Sequence, residues 1–152
     1  MIRRLRRSES GTSFIEFAIV APFLIFLVIG LIELGRYTYF SILAAHAARA
    51  AVAFGGQNLS TALNTGGMTQ AATTDAASLP NWTGNIAPNY LCSVNGGALG
   101  RCPTSPGAIA PINTVYYVQV TVTGEYNTLL NYPGIPNNVW VSGSATMRVG
   151  GQ

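Results

Sequence analysis

The chain has 152 residues, about one domain's length, with 49% hydrophobic and 9% charged residues, 17 glycines and 8 prolines. So few charges are foreign to an ordinary cytosolic enzyme, and the formal net charge of +3 belongs to one end: Arg3, Arg4, Arg6 and Arg7 precede Ser8, whereas Asp75, Arg101, Glu125 and Arg148 balance one another from Gly55 onward. With no basic face on the C-terminal part, a nucleic-acid partner is excluded.

The basic tip leads into an apolar run. Phe14 to Leu34 is 21 residues, which as a helix rises about 31 Å, the thickness of a bilayer's hydrocarbon core. Phe17 to Ile32 carries no charge. The positive-inside rule puts the arginines in the cytoplasm and everything after the span on the other side. All eight basic residues are Arg and none is Lys; with the abundance of Ala and Gly, this points to a GC-rich bacterial genome. The expected location is therefore a bacterial inner membrane, single-pass, with the C-terminal part periplasmic.

Glu16 sits inside the apolar run. An ionised carboxylate costs about 2.5–3.5 kcal/mol at the centre of a membrane helix and less near the interface, so it marks a job. A cleaved secretory signal fits poorly, because its apolar core would be about 7–15 residues and a small-residue cleavage site would follow soon after. Ala45-His46-Ala47 lies too far beyond Leu34 for that. A plain uncleaved anchor accommodates everything except Glu16.

The pattern of a basic leader ending in Gly11, then Thr12-Ser13-Phe14-Ile15-Glu16-Phe17, then an apolar helix resembles the processing site of type IV pilin-like proteins. More particularly, GTSFIEFAIVAPFLIFLVIGLIELGRYTYF resembles the TadE-like family, pseudopilins of the tight-adherence (Tad, or Flp) pilus. The Gly before the cut, Glu16 followed by Phe17, the Ala-x-x-x-Pro pattern reaching Pro22, and Glu33-Leu34-Gly35-Arg36 carry the resemblance. It covers Gly11 to Ala51 well, and SGSATMRV near the end more loosely.

The resemblance implies that a prepilin peptidase cuts after Gly11, making Thr12 residue one and Glu16 residue five. The new α-amine, with a pKa of about 7.7–8.0, neutralises Glu16 within the chain or from a neighbouring subunit, and the helix macrodipole also favours a carboxylate there. Glu16 then acts in assembly, with no catalytic part. The implied partners are the prepilin peptidase, other pilin subunits, the Tad inner-membrane assembly machinery and the lipid bilayer. About a hundred residues beyond the helix fit a minor pilin or pseudopilin better than the short major pilin, with an extracellular adhesion pilus as a destination after assembly. Two other readings stay open: a static single-pass envelope or binding protein, and a pseudopilin of a secretion system.

Beyond the span, helix is expected to continue to Phe54, for a total length from Thr12 of about 65 Å, and to end at Gly55-Gly56. Pro22 lacks a donor and should kink or loosen the helix. Glu33 and Arg36 form an i,i+3 surface pair. Tyr37, Phe40, Ala44, Ala47, Ala51 and Phe54 recur as a seam that needs a partner, either the protein's own sheet or a neighbouring helix.

Thr69 to Ser78 reads as a short amphipathic helix, with Met68, Ala72, Ala76 and Leu79 on one side and Pro80 as its stop. Asn81 to Asn113, rich in Gly, Pro, Asn and Ser, reads as mostly loop. It holds Cys92 and Cys102, which outside the cytoplasm form a disulfide; two free thiols are the alternative, and no zinc spacing surrounds them. Val115 to Gly124 alternates as a half-buried strand, with Tyr116, Val118, Val120 and Val122 inward. A second strand at 139–149 turns Val139, Val141, Ala145 and Met147 inward. A turn-rich stretch with Tyr132-Pro133-Gly134 lets the two pair antiparallel over the helical seam.

No nucleophile elbow, phosphate loop or paired metal motif occurs, and His46, the single histidine, lies among alanines. The expectation is no enzyme, no cofactor and no metal. The triplets Asn58-Leu59-Ser60 and Asn81-Trp82-Thr83 are set aside as glycosylation sites in a bacterial chain. The fold class is α+β, a long N-terminal transmembrane, pilin-like helix packed by a small antiparallel sheet domain. Its divisions are a leader at 1–11, the helix at 12–54, membrane-embedded to about 34, and a small periplasmic or extracellular domain at 55–152.

Overall fold

The computed structural model describes residues 10–76, 85–102, 112–129 and 137–151. The arginine-rich leader before Ser10, Leu79, Pro80, Asn81-Trp82-Thr83 and Tyr132-Pro133-Gly134 lie outside the described residues. The chain divides into two compact units, Met1–Arg36 and Tyr37–Gln152.

Helix α1, Ser10–Gly55, begins in the first unit and runs through Pro22 without a break. In the first unit it is apolar on all sides: its most apolar window of 18 residues has no buried member. A helix hydrophobic all round belongs in a core or a membrane. The described part of this unit supplies no core. Near its end, Arg36 Nη1 lies 3.6 Å from Glu33 Oε2, the expected i,i+3 pair.

The second unit holds the rest of α1, two short helices and a sheet. Gly56 N–H donates to the Val52 carbonyl at 2.7 Å, and α1 stops at the glycine pair. Helix α2, Leu59–Leu63, is capped by Asn58, whose Oδ1 accepts from Thr61 N–H at 2.9 Å while Thr61 Oγ1 accepts from Asn58 N–H at 3.1 Å. This reciprocal box satisfies two donors that a helix start leaves orphaned. Helix α3, Thr65–Ala76, begins four residues before the expected Thr69. Asn64 explains the difference: its Oδ1 accepts from Gly67 N–H at 2.9 Å, a cap that offsets the poor helix propensity of Gly66 and Gly67.

Strands β1 (Asn85–Val94), β2 (Gly100–Arg101), β3 (Thr114–Asn127) and β4 (Asn138–Arg148) form one antiparallel sheet in the order β2-β1-β3-β4. Pairing of β3 with β4 was expected, but β1 and β2 correct the reading of 81–113 as mostly loop. The hairpin turns at Asn95-Gly96, both with positive φ (52° and 72°), and Gly97 N–H donates to the Val94 carbonyl at 3.0 Å. Two left-handed residues are what a tight hairpin turn requires, and Asn-Gly supplies them cheaply. Pro88 is tolerated because β2 reaches only Leu91 and Cys92, leaving β1 an edge at the proline.

One face of the sheet is buried. Tyr116, Val118, Val120 and Val122 of β3 meet Ala47, Ala48, Ala51 and Val52 of α1 and Met68, Ala72 and Ala76 of α3 in one cluster. The helical seam therefore finds the protein's own sheet. Tyr37, at the seam's start, is half-exposed and sets its ring edge-on to Tyr126 at 6.5 Å, while Phe40 approaches Tyr126 at 4.9 Å. Met147 is more exposed than its inward position predicts, at 42%, although its side chain lies against Gly56 at the end of α1. Gly143 of β4 is buried against α1: a Cβ there would lie 2.5 Å from the Ala44 carbonyl carbon and 2.6 Å from Ala45 Cα. Strand and helix backbones touch at this point, a closeness that glycine permits.

The opposite face is polar. Register aligns Arg101, Leu91, Tyr117 and Arg148 across all four strands, and Glu125 pairs with Trp140 at the far end of β3 and β4.

Candidate functional site

The residues singled out for processing and assembly all fall in the first turns of α1. Gly11 and Thr12 lie in its opening turn, so the bond between them is part of helical backbone. Glu16 follows Thr12 by four residues, placing the two one turn apart along the same side. Glu16 is exposed, and no described residue bonds its carboxylate. Phe17 beside it is 62% exposed. Pro22 occupies an exposed position inside the helix. Its missing N–H leaves the Ala18 carbonyl without its usual partner, and in a membrane that group must find one elsewhere.

This arrangement has no nucleophile or base poised against another. What it offers is a carboxylate in the first turns of a helix that stays uncharged from Phe17 to Ile32, and a glycine five residues before it. Such a surface can be covered by lipid or by another apolar helix, and a carboxylate on it can pair with a cationic group.

Residues 11–53 match the TadE-like protein family. This chain carries a TadE-like segment. The matched residues run from Gly11 almost to the end of α1. No curated protein and no solved structure matches the chain, so the sheet is described on its own geometry.

In the second unit, Cys92 of β1 and Cys102 just beyond β2 are joined by a disulfide, Cα to Cα 4.9 Å. It fastens the two-residue β2 to the sheet. An open groove of about 530 Å³ runs beside the C-terminal part of α1 and α3, lined in part by Ala50, Gly67, Gln70, Thr74 and Asp75. Its one carboxylate has no histidine or cysteine among the lining residues. Among the described residues, no three His, Cys, Asp or Glu side chains gather as a metal site. His46 is exposed on α1.

Sequence reasoning missed the hairpin that carries Cys92, although Asn95-Gly96 signals it. It also missed the close contact at Gly143, for which a glycine inside an alternating strand is the available signal.

Proposed function

We propose that the chain is a minor pilin or pseudopilin, a structural component of a Tad-type pilus and not a catalyst, cut by prepilin peptidase after Gly11. The family match to residues 11–53, over a helix whose most apolar 18-residue window has no buried member, carries the reading. Thr12 becomes the mature N-terminus. Its α-amine meets Glu16 of the same or a neighbouring subunit, offsetting the cost of placing the carboxylate in lipid. The arginine leader stays cytoplasmic and the sheet unit lies in the periplasm until assembly draws the subunit into a filament or its base. Prepilin peptidase, other pilins and the Tad inner-membrane machinery are its partners.

The test is the intact mass and N-terminal sequence of the protein from its own membranes, with and without the peptidase. A chain beginning at Thr12 only when the peptidase is present is the expected result. A chain still beginning at Met1 in its presence would overturn processing and leave a static anchor. In processed protein, Glu16→Ala should keep membrane insertion and lose incorporation into pili, measured in the sheared filament fraction.

A further inference from the structure

The polar face of the sheet carries a charge pattern that complements itself. At one end stands the row Arg101, Leu91, Tyr117 and Arg148; at the other, Glu125 beside Trp140. Between them on β3 and β4 are Gln119, Thr121 and Thr123 paired with Thr146, Ser144 and Ser142, none of them charged. Thr121 is midway between Tyr117 and Glu125, and its partner Ser144 is midway between Arg148 and Trp140.

A second sheet can therefore be laid face to face on the first by a two-fold axis along the Thr121–Ser144 row, between the sheets and perpendicular to the strands. Tyr117 then lies over the second copy's Glu125, and Arg148 over the second copy's Trp140. The ends of the pattern are about 27 Å apart along β3, and facing sheets sit about 10 Å apart. At that spacing two long side chains meet, and an arginine reaches an indole face and the neighbouring carboxylate together. Contacts related by such an axis come in pairs, so each favourable one occurs twice.

We propose that this face is a docking surface for a second copy of the chain, paired about the Thr121–Ser144 row. Three observations fix the occupant. Trp140 is 66% exposed, although an indole is among the side chains that contribute most when an interface covers them. Arg101 and Arg148 are exposed and have no ion-pair partner among the described residues. Glu125 Oε1 accepts from the Asn138 side chain, which holds the carboxylate on the face and leaves Oε2 without a described partner. A polyanion would suit the arginine end and be repelled at the Glu125 end; a copy of the same face suits both. The pairing needs only the sheet, so it stands or falls separately from peptidase processing.

The test uses the full chain in nanodiscs. Both native cysteines are bonded to each other, so Thr121→Cys supplies one free thiol on the axis. Thr73→Cys, on an exposed position of α3, is the control. A short bismaleimide should give covalent dimer at Thr121→Cys at least about tenfold more than at Thr73→Cys. In the Thr121→Cys background, Arg148→Glu and Glu125→Arg should each lower the yield about fivefold, and both together should restore it, because like charges facing one another oppose docking and swapped charges do not. Equal cross-linking at Thr73→Cys and Thr121→Cys, or none at either, would overturn the proposal without any charge variant. So would a double reversal that unfolds like the parent but stays at the level of the single changes.

Discussion

Gly143 shows how much a single missing methyl group decides. The α1 backbone at Ala44 and Ala45 occupies the place a Cβ would take, and backbone gives way less readily than a flexible side-chain end. Gly143→Ala should destabilise the second unit by about 1–3 kcal/mol, the usual cost of overpacking. In the full chain in detergent this should lower the thermal midpoint by at least about 4 °C. Gly100→Ala is the control, because nothing lies within 4 Å of its added methyl; it should leave the midpoint unchanged or raise it. Tyr90 offers a second measurement. Its hydroxyl is buried without a hydrogen-bond partner, and desolvation raises its pKa above the ordinary tyrosine value. The unfolded chain then loses its phenol proton at lower pH than the folded one, so stability contributed by the neutral phenol falls as pH rises past about 10. Tyr90→Phe should be neutral or stabilising at pH 7 and should flatten that alkaline decline, read from unfolding midpoints across pH 8 to 11.

At the scale of elements, the β1–β2 hairpin is the part that depends on covalent help. Only Leu91 and Cys92 pair with β2, and an isolated two-residue strand has little to hold it. The Cys92–Cys102 bond closes a loop with a sequence separation of 10, for which the chain-entropy account gives about 2–3 kcal/mol. Replacing both cysteines by serine should cost that amount and speed hydrogen exchange at residues 95–102, leaving the β3–β4 amides protected. The same hairpin marks where the sequence stops being legible. In β3 the inward row Tyr116, Val118, Val120, Val122 contrasts with Tyr117, Gln119, Thr121 and Thr123, and alternation reveals the strand. In β1 the inward row is Ile86, Pro88, Tyr90, Cys92 and Val94 against Ala87, Asn89, Leu91 and Ser93, so the alternation is present, but a proline inside it and the Gly, Pro and Asn around it read as loop. That Gly11, Thr12 and Glu16 lie in the first turns of one helix is legible because it is local. The alignment of Arg148 with Tyr117, and of Glu125 with Trp140, is not, because it exists only once the register of separate strands is fixed.

For the whole molecule, the division at Arg36 and Tyr37 separates a segment with an exposed apolar surface from a unit with its own core. Every residue of the buried cluster, and every partly buried residue against it, lies at Phe40 or later, while the described helix before Tyr37 offers an apolar surface with no core of its own. Removing 1–36 should therefore leave a unit that folds in water, with a cooperative thermal transition and the disulfide formed. Removing 1–55 should not. That cut takes Ala47, Ala48, Ala51 and Val52 from the cluster and uncovers part of the β3 valine row; a four-stranded sheet with only the short α3 left on its apolar face cannot bury enough surface to offset the ordering of its chain. The expected outcome is monodisperse, melting protein from the first cut and aggregate from the second, measured by size-exclusion chromatography and circular dichroism. A soluble, cooperatively folded 56–152 fragment would mean that the sheet is completed without α1. The C-terminal half of this TadE-like helix would then be free for neighbouring subunits, instead of being committed, as its buried alanines indicate, to the sheet of its own chain.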